Sequence, residues 1–200
     1  MSLSSNNKVL QHLVDLERYP LNKLHSASGQ VMTDYWRNAL DTTGMCQLNG
    51  FFTTKAVKTL ENECVEIEPL AYNGLKTCTP YSDSGDNSFP ADHPRNMMTP
   101  RQVGIVAADL IPDQSCLKQL YYSEQFTEFL ALLLDKEKPH HIDDLYQSVN
   151  LLAMPEGKGQ NWHFDDAGFV ITLMIRRPDW VVILNAFQSF EAIAMKISGR

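Results

Sequence analysis

No uninterrupted apolar run in this sequence approaches the roughly 18 to 20 residues of a membrane span, so no membrane partner is expected. The first twenty residues, MSLSSNNKVLQHLVDLERYP, hold no apolar core followed by a small-residue cleavage site. No secretory signal is read there, and a cytoplasmic location is the expectation. There is no basic excess. Lys and Arg number 17 against 24 Asp and Glu, a net charge of −7. That is the wrong sign for a general nucleic-acid binder, which displaces counterions with a basic stripe. Cysteine is sparse: Cys46, Cys64, Cys78 and Cys116 form no CxxC pair. A structural zinc site, a thiol redox motif and a disulfide framework are therefore not indicated, and buried or half-buried free thiols are expected. No internal repeat or low-complexity tract is present.

What is there reads as an ordinary globular chain. Its 200 residues are 44% hydrophobic and 20% charged, enough for one domain or one and part of a second. Val9, Leu10, Leu13, Val14 and Leu16 predict a short amphipathic helix ending near Tyr19 and Pro20. Val31, Met32, Tyr35, Trp36, Ala39 and Leu40 predict a second, with those residues toward the core and Gly44 as its stop. A short strand is expected over 45–52, then a helix capped by Thr53 that buries Ala56, Leu60, Cys64 and Ile67. Residues 70–100, dense in Pro, Ser, Asp and Asn, read as a long loop that covers a site or moves. Helices over 111–120 and 123–134 follow, and strands over 145–154, 161–165 and 169–175, with a turn at 155–159.

The chemistry-bearing stretch is NLLAMPEGKGQNWHFD, 150–165. His163 and Asp165 stand two apart on an expected strand, so both side chains leave on one face and reach one metal ion together. They supply two of the three ligands of a 2-His-1-carboxylate triad, which holds non-haem Fe(II) and leaves positions open. Taken alone, an H-x-D triplet reads as a polar strand end before it reads as a metal site; the strand, Pro/Gly turn and second strand leading into it raise the metal reading. Trp162 alternates away from His163 and is expected to pack behind it. Asp166 opens a turn or orients a ligand. His93 belongs to a solvated loop or faces a substrate, and His140 and His141 mark an exposed turn. Tyr35 and Trp36 are expected in the core.

Six segments carry a resemblance: LERYPL (16–21), GMCQLNGFFT (44–53), EPLAY (68–72), FPADHPR (89–95), ADLIPDQSCLKQLY (108–121) and NLLAMPEGKGQNWHFDDAGFVITLMI (150–175). In order and spacing they resemble the Fe(II)/2-oxoglutarate-dependent oxygenases, in particular the group related to free-amino-acid hydroxylases and halogenases. The resemblance spans about residues 15 to 180. It implies Fe(II) and 2-oxoglutarate as cofactors, dioxygen and a small polar substrate such as an amino acid, and His163 and Asp165 as metal ligands. Asn150 then matches a strand position that hydrogen-bonds 2-oxoglutarate; the other reading is an amide bonding local backbone. The halogenases of the group carry Gly or Ala at the carboxylate position, so Asp165 implies hydroxylation.

The family also needs a distal histidine and an Arg or Lys for the far carboxylate of 2-oxoglutarate. The 35 residues after Asp165 contain no histidine. Beyond Trp180 the similarity stops. Restoring one guanine after the Trp180 codon decodes the stretch from 181 onward as G-G-D-F-E-C-V-P-I-I-R-S-D-R-D-E-N-F within codon degeneracy, close to the family's continuation. Residues 181–200 are therefore expected to be out of frame; the alternative is a divergent tail with a terminal helix. The expected fold is α+β, with a helical layer over 1–135 packed on the first strands, over 144–180, of an incomplete double-stranded β-helix. A truncated chain of this kind is expected to have little or no activity. The competing expectation is a non-catalytic domain of the same fold that binds a small molecule or partner.

Overall fold

The computed structural model describes residues 10–137, 139–165, 167–176 and, as backbone, 191–196. The expectations for Val9, Asp166 and Trp180, and for most of the tail, lie outside the described residues. The chain is a mixture of helix and sheet in two compact units. One comprises 1–63, 112–143 and 167–200; the other comprises 64–111 and 144–166. Among the described residues no helix is long and apolar enough to cross a membrane.

The first unit is built on capped helices. Helix α1 spans Ala27–Thr43; the Ser26 hydroxyl accepts the Gly29 N–H at its start, and Gly44, at φ 70°, ends it in the left-handed conformation. Its buried residues are Gly29, Thr33 and Leu40, whereas Val31 and Tyr35 are exposed at 71% and 66%. The expected core face is thus rotated. A Cβ on Gly29 would lie 2.3 Å from the Lys23 carbonyl oxygen, so the glycine lets the helix seat directly on the 23–24 backbone. The Thr33 hydroxyl donates to Gly29 O at 2.8 Å, which satisfies it in the buried position.

Strand β1, Met45–Gln47, is shorter than expected. After it the chain turns at Gly50 (φ 66°) and pairs back on 13–15: Asp15 N–H donates to Phe51 O and Thr53 N–H to Leu13 O, both at 2.9 Å. Helix α2, Thr54–Ile67, starts at the expected cap, with Thr53 Oγ1 accepting from Ala56 N–H at 3.1 Å, and buries Ala56, Leu60 and Ile67 as expected. Helices α3, Cys116–Tyr121, and α4, Glu124–Leu134, are capped by Ser115 and Ser123. The Glu63 carboxylate also accepts the Cys116 N–H, at 2.9 and 3.1 Å, a placement favoured by the helix dipole. Phe51 is the hub of the core: fully buried, its ring lies 5.2 Å from Tyr19 and 6.4 Å from Phe129.

Two segments of the second unit depart from expectation. Residues 70–100 are not one loop, because Tyr72–Cys78 is strand β2. It pairs antiparallel with strand β3, Thr99–Val106, which the sequence did not indicate, and Gly104–Val106 of β3 pair with strand β4, Leu151–Ala153. Both β2 and β3 fall inside the stretch expected as a helical layer. Their alternation is hidden by Asn73, Gly74, Pro100 and Gly104, residues that depress strand propensity. The real loop is 79–98.

Strand β5, Phe169–Met174, agrees with expectation. It pairs parallel with strand β6, Glu191–Lys196, which also pairs parallel with β1. The tail segment is therefore extended rather than helical. These parallel pairings are of a kind that an antiparallel roll does not contain, and among the described residues six strands form two separate three-stranded sheets.

Candidate functional site

The H-x-D motif lies in the second unit. Residues 161–165 are not a strand. Asn161 adopts φ 54°, a left-handed conformation that an extended run does not contain, and its side-chain amide donates to Pro100 O. The next backbone anchor is Phe164 N–H, which donates to Pro80 O at 2.8 Å. Its ring packs on Tyr81 with centroids 4.8 Å apart. The motif is thus held by Pro100 of β3 and by the 79–98 loop rather than by a sheet ladder of its own.

That turn nevertheless brings the two expected ligands together. His163 Nε2 lies 3.4 Å from Asp165 Oδ1, with the imidazole side chain 22% exposed and the carboxylate 47%. His163 Nδ1 lies 2.9 Å from the Asn161 carbonyl oxygen. A carbonyl only accepts, so Nδ1 carries a proton, and in the neutral ring Nε2 is the free donor atom turned toward Asp165. A backbone acceptor on the far ring nitrogen is the usual way a metal-binding histidine is oriented. Two donors bound about 2.1 Å from one ion at a right angle stand about 3 Å apart, close to the observed spacing. With Nε2 protonated, the same contact is an ion pair that needs no metal. Among the described residues no third His, Cys, Asp or Glu joins them. The pair therefore fits two corners of a triad and not the whole of it.

Asn150 stands just before β4 and is exposed. With its amide nitrogen turned toward the backbone it donates to Tyr146 O at 2.8 Å and Val149 O at 3.1 Å, the local bonding weighed from the sequence. Trp162 does not pack behind His163; it is 57% exposed, because the Asn161 turn replaces the strand alternation that would have buried it. His93 lies in the 79–98 loop as expected but is half-buried: it stacks on Phe89 at 4.4 Å and its Nδ1 accepts from Arg95 N–H, capping the turn Pro94–Asn96. His140 and His141 are exposed, and His141 contacts the Tyr121 and Tyr122 rings.

The 79–98 loop is internally fixed. Arg95 lies over the Tyr81 ring at 4.2 Å and 3.8 Å from Asp83. The Thr79 hydroxyl and Gly85 N–H both donate to Asp83, and with Arg95 nearby they hold its carboxyl below the usual range. The Ser88 hydroxyl and N–H do the same for Asp86. Two residues that the sequence reading passed over stand opposite each other on β2 and β3. Arg101 Nη2 donates to Gln160 Oε1 at 2.9 Å, three residues before His163, and Lys76 Nζ donates to Ser82 O at 3.0 Å. Only recognition of β2 and β3 as a pair would have drawn attention to them.

None of the four cysteines is in a disulfide; Cys46 and Cys78 are buried, Cys64 and Cys116 half-buried. No family model matches the chain, and neither a curated protein nor a solved structure matches it.

Proposed function

We propose that the chain is an Fe(II)/2-oxoglutarate-dependent dioxygenase of the hydroxylase type, acting in the cytoplasm on a small polar molecule such as an amino acid. The observation that carries this reading is the His163–Asp165 pair, with Nε2 3.4 Å from Oδ1 and Nδ1 2.9 Å from a backbone carbonyl oxygen. The six family-like segments and the net acidic charge are consistent with it. The antiparallel β2–β3–β4 sheet would be the beginning of a double-stranded β-helix. In such enzymes the iron, 2-oxoglutarate and dioxygen supply the oxidising chemistry. This chain's own contribution is two donor atoms, a carbonyl that fixes the imidazole tautomer and a loop clamped on the motif through Phe164. With two donors among the described residues it binds a divalent ion weakly, and no reaction step is assigned to it.

A metal titration tests the reading. Co(II) added to the full chain should bind and give a d–d absorption band, and both His163→Ala and Asp165→Ala should abolish it. Binding that survives both substitutions would overturn the site. Succinate release with Fe(II), 2-oxoglutarate and an amino-acid panel should be at background; robust turnover would show that two ligands suffice. The frame shift after Trp180 belongs to the same reading. Coding DNA that encodes 181–200 with no family-like alternate frame would remove it. The second reading, a non-catalytic binding domain, is favoured by the missing third donor among the described residues. It predicts small-molecule binding with no dependence on metal.

A further inference from the structure

We infer that Lys76 and Arg101 form a binding site for the carboxylate of a small molecule. The register of β2 and β3 sets these two residues directly opposite each other. Side chains at such positions leave the same face, and like charges there repel. The two cations also converge. Lys76 Nζ donates to Ser82 O at 3.0 Å, and Arg101 Nη1 reaches Ser82 Oγ at 3.4 Å. Arg101 Nη2 donates to Gln160 Oε1 at 2.9 Å. Every one of these acceptors is neutral.

Among the described residues neither cation has an acidic partner. The carboxylate adjacent in sequence, Asp83, is committed to Thr79, Gly85 and Arg95. Ser82 is held at φ 64°, so the chain spends an unfavourable backbone conformation at the point where the two cations meet. Lys76 is exposed and Arg101 half-buried, so the pair is open to a solute. A guanidinium fork beside an ammonium suits a planar two-oxygen group, which would displace Ser82 Oγ and Gln160 Oε1 from the fork.

Gln160 ties this pair to the segment that carries His163. That the carboxylate belongs to 2-oxoglutarate or to the substrate rests on the oxygenase reading; that an anion is taken there does not. The test therefore uses the full chain stripped of metal on a chelating resin, titrated by calorimetry with succinate, 2-oxoglutarate, L-alanine and inorganic phosphate. Saturable binding of a carboxylate, weakening as salt rises, is expected. Binding of the dicarboxylates alone points to the cosubstrate, and binding of the amino acid points to the substrate. Lys76→Met and Arg101→Met should each weaken binding about tenfold or more, as expected for a charged hydrogen bond lost. Without ligand, Lys76→Met should melt higher than the parent chain because the repulsion is gone. No saturable binding, phosphate binding tighter than every carboxylate, or a Lys76→Met protein that melts lower and binds unchanged would each overturn the site. Co(II) binding, measured separately on His163→Ala, reports on the oxygenase reading and leaves this one untouched.

Discussion

Replacing Phe51 by alanine should unfold much of the first unit's margin of stability. The side chain has no exposed surface, and its ring lies 5.2 Å from Tyr19, 5.2 Å from Phe52, 6.1 Å from Phe126 and 6.4 Å from Phe129. Four aromatic neighbours, Tyr19, the adjacent Phe52 and two residues of α4, cannot all close over the vacated volume, so a cavity remains. Phe→Ala at such a site costs about 3–5 kcal/mol, against roughly 5–15 kcal/mol for a whole domain. For a chain of this size that is a fall in Tm of about 6–20 °C. The assay is urea denaturation followed by far-UV circular dichroism, with the slope compared as well as the midpoint. Val31→Ala, at a position 71% exposed, is the control and should change stability by less than about 0.5 kcal/mol. A loss below about 1 kcal/mol for Phe51→Ala would refute the reasoning, since it would mean that the ring is not enclosed.

Gly29→Ala sets two effects against each other. Alanine is the better helix former by about 1 kcal/mol, but its Cβ would stand 2.3 Å from Lys23 O and 2.4 Å from Leu24 O, backbone atoms that cannot swing aside. Overpacking of this kind costs about 1–3 kcal/mol, so a net loss is expected in thermal melts, and a gain would contradict the seating of α1. In alkali, burial pushes the Cys46 thiol from 9.0 to about 12 and the Tyr19 phenol from 10.0 to about 12. The folded state thus favours the protonated forms; their contribution is complete below pH 9 and is lost as pH rises from 9 toward 12. For Cys46 three pH units amount to a loss on the order of 4 kcal/mol by pH 12. The urea midpoint should fall across that window, and Cys46→Ala should flatten the first part of the fall; a flat profile from pH 9 to 11 would argue against burial of both groups.

Local rules were readable in the chain because their causes are local. Thr53 heading α2, Gly44 closing α1, the turn at Gly157 and the apolar run of β5 each follow from a residue's own conformational preference or its neighbours within four positions. The nearness of His163 and Asp165 was also legible, though for the wrong reason. Strand alternation was the argument, and a left-handed turn at Asn161 delivers the result. That turn depends on Pro100 and Pro80, residues 61 and 84 positions away, which no window of sequence connects to the motif. The same limit hid β2 and β3. A strand with Gly and Asn in its interior is stabilised by its pairing partner rather than by propensity, so it becomes visible only when the ladder is in place. Likewise, Val31 and Tyr35 look like core by periodicity. Only the contact of Gly29 with a passing backbone decides how α1 is rotated, because a helix's facing is set by the surface it packs on and not by its own pattern alone.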